Sequence, residues 1–135
     1  ANEFLLLHGT KPEAAASIAE NHFDMAFACK TGMFGAGLYF GESSSKCDEY
    51  AQPREDGVYA MILCRVILGR INYCAEKDPT TNPGRKALEQ SCTPAGGYHS
   101  VLGDRKKARG TYREFIVYDH YQVYPLFIVW YKRSF

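Results

Sequence analysis

The chain has 135 residues, of which 46% are hydrophobic and 14% aromatic, and its formal net charge is +1. This length fits one folded domain, and the composition excludes an intrinsically disordered protein. The balanced charge gives no reason to expect that nucleic acid is required or that the chain binds a membrane, and no apolar run reaches the roughly 20 residues of a membrane span. No signal peptide is visible, and a start at Ala1 instead of Met suggests an excised domain.

The first half of the chain predicts one strand and two helices. Glu3 to Leu7 is a buried strand. A helix follows from Pro12 to about Asn21, with Thr10 as its candidate cap. Asp24 to Thr31 has no hydrophobic periodicity, which predicts a loop. An S-x-x-D pattern further along resembles a capping box and predicts a short helix over Lys46 to Tyr50.

The second half is dominated by predicted strands. One long strand is expected from Gly57 to Ile71, after a turn that begins at Gln52. Asp78 to Gly84 predicts a loop, and two further strands should span Tyr112 to Tyr118 and Val123 to Tyr131. Pro125 suits an edge strand or a strand start. The pattern as a whole predicts an α+β domain, rich in strands, with short helices placed early.

The five cysteines form no recognisable framework. They stand at Cys29, Cys47, Cys64, Cys74 and Cys92, without CxxC spacing. An odd count of this kind predicts no disulfide scaffold and a reducing compartment, so we expect an intracellular protein in the cytoplasm or nucleus. Zinc sites usually show closely paired ligands, so no metal is expected, although Cys92 and His99 could join a distant pair.

The segment from Gly32 to Tyr50, GMFGAGLYFGESSSKCDEY, carries the strongest functional signal. Its glycine spacing, G-x-x-G-x-G, matches neither the dinucleotide-binding fingerprint nor the Walker motif. A tight turn between two elements is an alternative explanation of the glycines. Tyr39 and Tyr50 lie eleven residues apart and could clamp a planar aromatic ring between them.

Six segments of the chain resemble motifs of a known family and occur in the same order as in that family. They are NEFLLLHGT, GMFGAGLYF, SSSKCDEY, LCRVILG, GYHSVLG and EFIVYDHYQVYPLFIVWY. They are similar to the catalytic domain of the poly(ADP-ribose) polymerases, and most of all to the tankyrase branch. The resemblance implies the split β-sheet ADP-ribosyltransferase fold in a single domain over residues 1–135. It also implies that NAD is the substrate, and that ADP-ribose passes to protein acceptors, the chain itself among them, with release of nicotinamide.

The resemblance implies a catalytic set of His8, Tyr39 and Glu114. His8 would bind ribose hydroxyls, Tyr39 would lie beside the nicotinamide, and Glu114 would stabilise the cationic sugar and orient the acceptor. Each residue also has an ordinary interpretation, as a structural histidine, a core tyrosine or a solvated strand-end glutamate. The set matches polymer-forming members. Single transfer, or an inactive module that binds NAD or ADP-ribose, remains the alternative.

Further NAD contacts follow from the same resemblance. The Gly9 backbone would bind the nicotinamide amide at a point where a side chain would crowd the ring, and Tyr50 would stack on that ring. Lys46 matches a site lysine, or is a solvated helix charge. The other implied contacts are Thr10, Asp24, Phe27, Gly32, Phe40 and Cys47. Molecules that mimic nicotinamide are expected to bind at the same place.

The chain departs from the family pattern at several points. Cys47 replaces the usual serine, and because a thiol is the weaker donor we expect a weaker hold on nicotinamide. Only Ala51 to Val58 stands where tankyrases carry a zinc-binding insertion, so no zinc is expected. Cys29 replaces a tyrosine, so adenine stacking is expected to differ.

Two further features of the chain each have more than one explanation. The usual first strand, first helix and regulatory helical domain are missing, which predicts either a fragment or a compact variant with an exposed sheet edge. The basic run Arg105 to Arg109 could steer an acidic acceptor toward Glu114, or be a solvated loop or a nuclear-targeting signal.

Overall fold

A computed structural model describes residues 2–134 of the chain. Seven strands form one sheet in the order β4-β5-β6-β2-β1-β3-β7. In chain order the strands are β1 (Glu3–Thr10), β2 (Leu38–Gly41), β3 (Tyr59–Ile67), β4 (Ile71–Cys74), β5 (Ser100–Asp104), β6 (Arg113–Val117) and β7 (Val123–Tyr131). Neighbouring strands are antiparallel except β4 and β5, which are parallel. This confirms the predicted α+β, strand-dominated fold.

Four short helices accompany the sheet: α1 (Pro12–Asn21), α2 (Ser44–Asp48), α3 (Arg85–Ser91) and α4 (Arg105–Arg109). Single helical turns occur at Met25–Phe27 and His120–Gln122, and Thr80–Gly84 is a kinked segment interrupted by the extended backbone of Asn82. Within residues 2–134, no helix has the length and apolar character needed to cross a membrane.

Both faces of the sheet are buried, by different elements. On one face Ile18 of α1 joins a cluster with Phe40 and Phe115. On the other face Leu88 of α3 packs with Tyr39 in a second cluster. Side chains alternate between the faces along a strand, so the neighbours Tyr39 and Phe40 of β2 belong to opposite clusters.

The first helix lies where the sequence predicts it, but its cap does not. Helix α1 begins at Pro12 and ends at Asn21. Thr10 pairs with Ala60 as the last residue of β1, so the predicted cap at Thr10 is wrong. The residue before the helix is Lys11, which makes no capping bond. Proline in the first turn has no N–H group to satisfy, which reduces the need for a cap.

The predicted capping box of the second helix is also wrong. Helix α2 begins at Ser44, two residues earlier than predicted, and ends at Asp48. Ser43 holds the cap position without a side-chain hydrogen bond. The segment predicted as a loop before it, 24–31, contains one helical turn and is otherwise irregular.

The strand predicted from Gly57 to Ile71 spans only Tyr59–Ile67, and Ile71 begins a second strand. Strand β3 ends at Ile67 and β4 begins at Ile71, and the two lie far apart in the sheet order. Gly69 breaks the segment with φ of +56°, a conformation that suits glycine, and a Cβ there would lie 2.6 Å from Nδ1 of His99. Val123–Tyr131 is a strand as predicted, and it forms an edge of the sheet, as Pro125 indicates.

The region 74–110 holds three elements that the sequence did not predict. Helix α3 presents a single fully buried side chain, Leu88, so it has almost no apolar period to detect. Strand β5 was not predicted, and the basic run is helix α4 instead of a loop. Asp104 caps α4 through the Lys107 amide, and Gly110 ends it at φ of +74°. The prediction that helices lie only early in the chain is therefore wrong.

Gly103 gives a direct test of the packing around Phe34. A Cβ at Gly103 would lie 2.1 Å from Cζ of the fully buried Phe34 ring. Gly103→Ala should lower the free energy of unfolding by about 1–3 kcal/mol through overpacking, measured by urea denaturation. Phe34→Leu should recover part of that loss in the double variant. Simple additivity of the two single changes would contradict this packing.

Candidate active site

The candidate site lies where β1 and β2 separate. The two strands pair at Leu7 and Gly41, and no pair follows between the residues after Leu7 and those before Gly41. The carbonyl oxygen of Tyr39 therefore has no backbone partner in β1. Nδ1 of His8 lies 2.8 Å from this oxygen. A histidine side chain thus takes the place of the missing strand hydrogen bond.

This contact fixes the state of the His8 ring. A carbonyl oxygen can only accept, so Nδ1 is the protonated nitrogen and Nε2 is an acceptor. Burial lowers the pKa of His8, and the hydrogen bond to Tyr39 only partly opposes that effect. The ring is held between Phe23 and Phe40, with centroids at 5.2 and 5.3 Å. His8 is therefore a neutral, oriented hydrogen-bond acceptor near pH 7.

A cavity of about 150 Å³ opens at the separation of the strands. It is lined by His8, Gly9, Thr10, Phe27, Cys29, Tyr39 and Tyr50. A cavity of roughly this volume holds one benzene-sized ring. The two tyrosines that could clamp a planar ring therefore border one ring-sized space.

Gly9 is required by the packing of β1 against α2. A Cβ at Gly9 would lie 1.8 Å from the carbonyl oxygen of Cys47. The structural reason for glycine is thus a neighbouring helix carbonyl, and not only the ring that the sequence analysis invoked. The Leu7 carbonyl points toward α2, because it accepts from Sγ of Cys47 at 3.2 Å. Backbone groups of alternate strand residues point to the same edge, so those of Gly9 are directed into the opening between β1 and β2.

Cys47 is buried behind Gly9 and does not border the cavity. Burial raises the pKa of this thiol to about 12, so it stays protonated. Its hydrogen bond goes to Leu7 within the protein. Any effect of the cysteine on a bound ring would therefore pass through the position of Gly9.

Tyr39 holds the glycine-rich loop in shape. Its hydroxyl accepts from the Phe34 amide at 2.8 Å and donates to the Gly35 carbonyl at 2.7 Å. Gly35 has φ of +97°, and a Cβ at Gly32 would lie 2.1 Å from the Tyr39 hydroxyl oxygen. Burial raises the pKa of Tyr39, which keeps the phenol neutral. With its hydroxyl fully used, Tyr39 offers the cavity its ring.

Helix α3 fixes the same loop from outside. Oε1 of Glu89 accepts from the Ala36 amide at 2.7 Å, and Nε of Arg85 donates to the Gly32 carbonyl at 3.0 Å. Sequence reasoning missed these two supporting residues because it did not predict the helix that carries them. Arg85 and Glu89 form an oppositely charged pair four residues apart, and this spacing is a local signal that could have indicated the helix.

Glu114 is buried beside the cavity and is not a solvated strand-end residue; it is 5% exposed. Its strand neighbours are Gly41 and Gly103, neither of which has a side chain. The Tyr50 hydroxyl donates to Oε1 at 2.7 Å, and Nζ of Lys46 lies 3.9 Å from the same oxygen. In the described part of the chain, Oε2 has no hydrogen-bond partner. One carboxylate oxygen is thus held by the protein, and the other is free to accept.

The remaining predicted contact residues divide into two groups. Thr10 and Phe27 border the cavity, while Gly32 and Phe40 lie behind Tyr39 and His8 respectively. Lys46 lies 5.4 Å from the centroid of the Tyr50 ring. Asp24 does not border the cavity, and its side chain accepts from the Ala26 amide. Between residues 2 and 134, no cluster of three or more His, Cys, Asp or Glu side chains could hold a metal ion.

Comparison with known proteins identifies the family of the chain. The sequence model of the poly(ADP-ribose) polymerase catalytic domain matches residues 1–133. The chain belongs to this family.

Two curated relatives of the polymerase family are similar to parts of the chain. One is the "Poly [ADP-ribose] polymerase tankyrase" of Caenorhabditis elegans, 40% identical over 73 aligned residues, with coverage of 52% of this chain and 3% of the relative. The other is the human "Protein mono-ADP-ribosyltransferase PARP4", 35% identical over 104 aligned residues, with coverage of 73% of this chain and 5% of the relative. The chain thus spans only a small part of the length of either relative.

The neutral state of His8 predicts a pH dependence of stability for this polymerase-family domain. The folded pKa lies below the ordinary 6.5, so the unfolded chain takes up this proton first. The resulting contribution to stability is complete above about pH 6.5 and is lost as the pH falls below it. His8→Gln should therefore flatten the fall in the urea midpoint between about pH 7.5 and about pH 5.5.

The exposed His22 supplies the matched control for this measurement. His22→Gln should follow the wild-type pH profile. An equal fall in the wild type and in His8→Gln would show that His8 is not the group responsible.

Proposed function

We propose that this domain transfers ADP-ribose from NAD to protein acceptors and releases nicotinamide. The observation that carries the proposal is the position of Glu114, a buried carboxylate with one free oxygen beside a ring-sized cavity. Membership of the poly(ADP-ribose) polymerase family supports NAD as the substrate.

The nicotinamide ring is proposed to lie between Tyr39 and Tyr50. Both tyrosines border the cavity, whose volume suits one aromatic ring. The backbone groups of Gly9, directed into the opening, can bind a carboxamide, which needs one acceptor and one donor. Nε2 of His8 can accept from a ribose hydroxyl. The same contacts would bind molecules that mimic nicotinamide.

The reaction breaks the bond between the ribose carbon and the nicotinamide nitrogen. The electron pair of that bond leaves with the nicotinamide, and positive charge develops on the sugar. The Glu114 carboxylate is proposed to stabilise this charge while its free oxygen accepts from a ribose hydroxyl. An acceptor side chain then bonds to the same carbon and releases its proton to the solvent. Tyr50 and Lys46 hold Glu114 in place during these steps.

The length of the product is the finer question. The set of His8, Tyr39 and Glu114 favours polymer formation, and the printed name of the nematode relative describes a polymerase. The short segment before Glu114 favours single transfer, which the printed name of the human relative describes. An inactive module that binds NAD is the third alternative.

The proposal also covers the cellular compartment and the partners of the reaction. All five cysteines are free thiols, which supports a reducing compartment, and we propose the cytoplasm or nucleus. We propose that residues 1–135 form a single catalytic domain. Its proposed partners are NAD and protein acceptors, including the chain itself. Neither a metal nor a nucleic acid is part of the proposed reaction.

Glu114→Gln tests the proposed function. The amide keeps the shape of the side chain but removes its charge, so transfer of label from NAD to protein should fall about 100-fold or more. Binding of nicotinamide, measured by calorimetry, should persist. Acid-gel analysis of the wild-type product separates single ADP-ribose from polymer.

The control for this test is Glu3→Gln. Glu3 is an exposed carboxylate of β1 that pairs with Arg65 at 2.6 Å, away from the cavity. Transfer by this variant should equal that of the wild type. If Glu114→Gln transferred label at the wild-type rate, the role of Glu114 would be wrong. A wild-type chain that binds nicotinamide without transfer would support the inactive module.

Helix α4 carries two exposed lysines just before the strand that holds Glu114. Arg105 and Arg109 donate to backbone carbonyls of residues 76–77, which leaves Lys106 and Lys107 exposed. These lysines line a cleft of about 440 Å³ together with Asp104 and the ion pair of Arg113 and Glu42. Among its charged side chains, the two lysines are therefore the candidates for steering an acidic acceptor.

Lys106→Gln/Lys107→Gln should therefore slow transfer to an acidic acceptor protein several-fold at low salt. The difference should shrink near about 0.5 M salt, because screening weakens steering between exposed charges. Nicotinamide affinity should stay unchanged. Equal rates for the double variant and the wild type at low salt would show that the basic run is only a solvated surface.

A further inference from the structure

Helix α2 carries much of the candidate site but has little stability of its own. Lys46 and Cys47 lie on it, and Tyr50 follows two residues after its end. It has five residues and no side-chain cap, and helices far longer than this are marginal in water by themselves. Its position must therefore be set by contacts with the rest of the fold.

On the site side, α2 packs against Gly9 and Gly41, and Nζ of Lys46 lies 3.9 Å from Oε1 of Glu114. Cys47 donates to the Leu7 carbonyl, and Tyr50 donates to Glu114. On the opposite side a cleft of about 410 Å³ lies between α2 and the sheet. It is lined by Ser44 and Ser45 of the helix and by Met61 and Val129 of the strands, among others. Direct packing therefore does not fix this side of the helix.

Asp48 bridges that cleft. Its Oδ1 accepts from the Tyr131 hydroxyl at 2.6 Å, and its Oδ2 lies 3.0 Å from Nε of Arg133. The Arg133 guanidinium also donates to the Asp48 carbonyl at 3.1 Å. One residue thus anchors the end of α2 through both its side chain and its backbone.

The two partners of Asp48 are themselves held in place. The Tyr131 ring stacks on Tyr59 with centroids 5.5 Å apart and 23° between the ring planes. The Arg133 guanidinium lies 4.2 Å from the centroid of the same Tyr59 ring. A planar guanidinium stacked on an aromatic ring gives a rigid, oriented donor. The anchor is therefore a prearranged cluster of Tyr59, Tyr131 and Arg133.

We propose that Asp48 is a positioning residue of the transfer site. Its contacts with Tyr131 and Arg133 set the orientation of α2, and through it the placement of Tyr50 against the cavity and of Lys46 and Tyr50 against Glu114. Asp48 itself does not border the cavity. Binding sites tolerate misplacement of only about 0.5 Å, so a small rotation of α2 is enough to weaken the site. The inference rests on the proposed function.

The test compares Asp48→Asn with Tyr131→Phe. Asp48→Asn keeps the side-chain shape and removes the charge that orients Arg133. It should raise the Kd for nicotinamide and the KM for NAD about tenfold, the equivalent of one charge-assisted hydrogen bond. Tyr131→Phe keeps the ring stack and the ion pair, so both values should rise only about threefold. Asp48→Glu, which retains the charge, should recover part of the loss.

Glu3→Gln is again the matched control, since it breaks a carboxylate–arginine pair on the same sheet. It should leave both constants unchanged. The thermal midpoint is measured for every variant. A lower midpoint with an unchanged nicotinamide Kd would mean that Asp48 has a purely structural role, and would overturn the proposal.

Tyr131→Phe keeps the test decisive if Asp48→Asn does not fold, because an unchanged Kd in that variant also overturns the inference. Failure of the proposed function would look different. In that case the wild-type chain would neither bind nicotinamide nor transfer label, whatever the residue at position 48.

Discussion

The hydrogen bond from His8 to the Tyr39 carbonyl is the contact on which the site depends. A sheet that opens between two central strands leaves buried backbone groups without partners, and each such group costs about 1–3 kcal/mol. Nδ1 of His8 satisfies the unpaired Tyr39 carbonyl at 2.8 Å, so this group does not incur that cost. Because Nδ1 is committed to this bond, Nε2 is left as an acceptor beside the cavity. One hydrogen bond thus both satisfies the Tyr39 carbonyl and orients the His8 ring.

Around this opening, glycines provide space that neighbouring groups fill. A Cβ at Gly9 would overlap the Cys47 carbonyl, and one at Gly41 would lie 2.9 Å from Sγ of the same residue. Together these two positions let α2 lie close against β1 and β2. Gly32 makes the equivalent room for the Tyr39 ring. The glycine-rich segment therefore shapes a wall of the cavity. The atoms that occupy the space beside its glycines belong to the protein itself.

Sequence reasoning predicted what depends on local pattern and on the family motifs. Helix α1 and strand β7 have the predicted bounds, and most of the implied nicotinamide contacts border one cavity. It failed where contacts over long sequence distances decide the structure. Helix α3 has one buried residue, and its Glu89 acts on Ala36, 53 positions away. Nothing local to Asp48 indicates Tyr131, 83 positions later, as its partner.

The partners of Glu114 explain why the position of α2 matters to the chemistry. A buried carboxylate must be hydrogen-bonded or paired, since an isolated charge is costly in the interior. Both partners here, Tyr50 and Lys46, lie on or directly after α2 and approach the same oxygen. Tyr50 also borders the cavity. A shift of α2 would therefore alter the cavity wall and the support of the carboxylate together, so the proposed ring binding and bond cleavage would both depend on one five-residue helix.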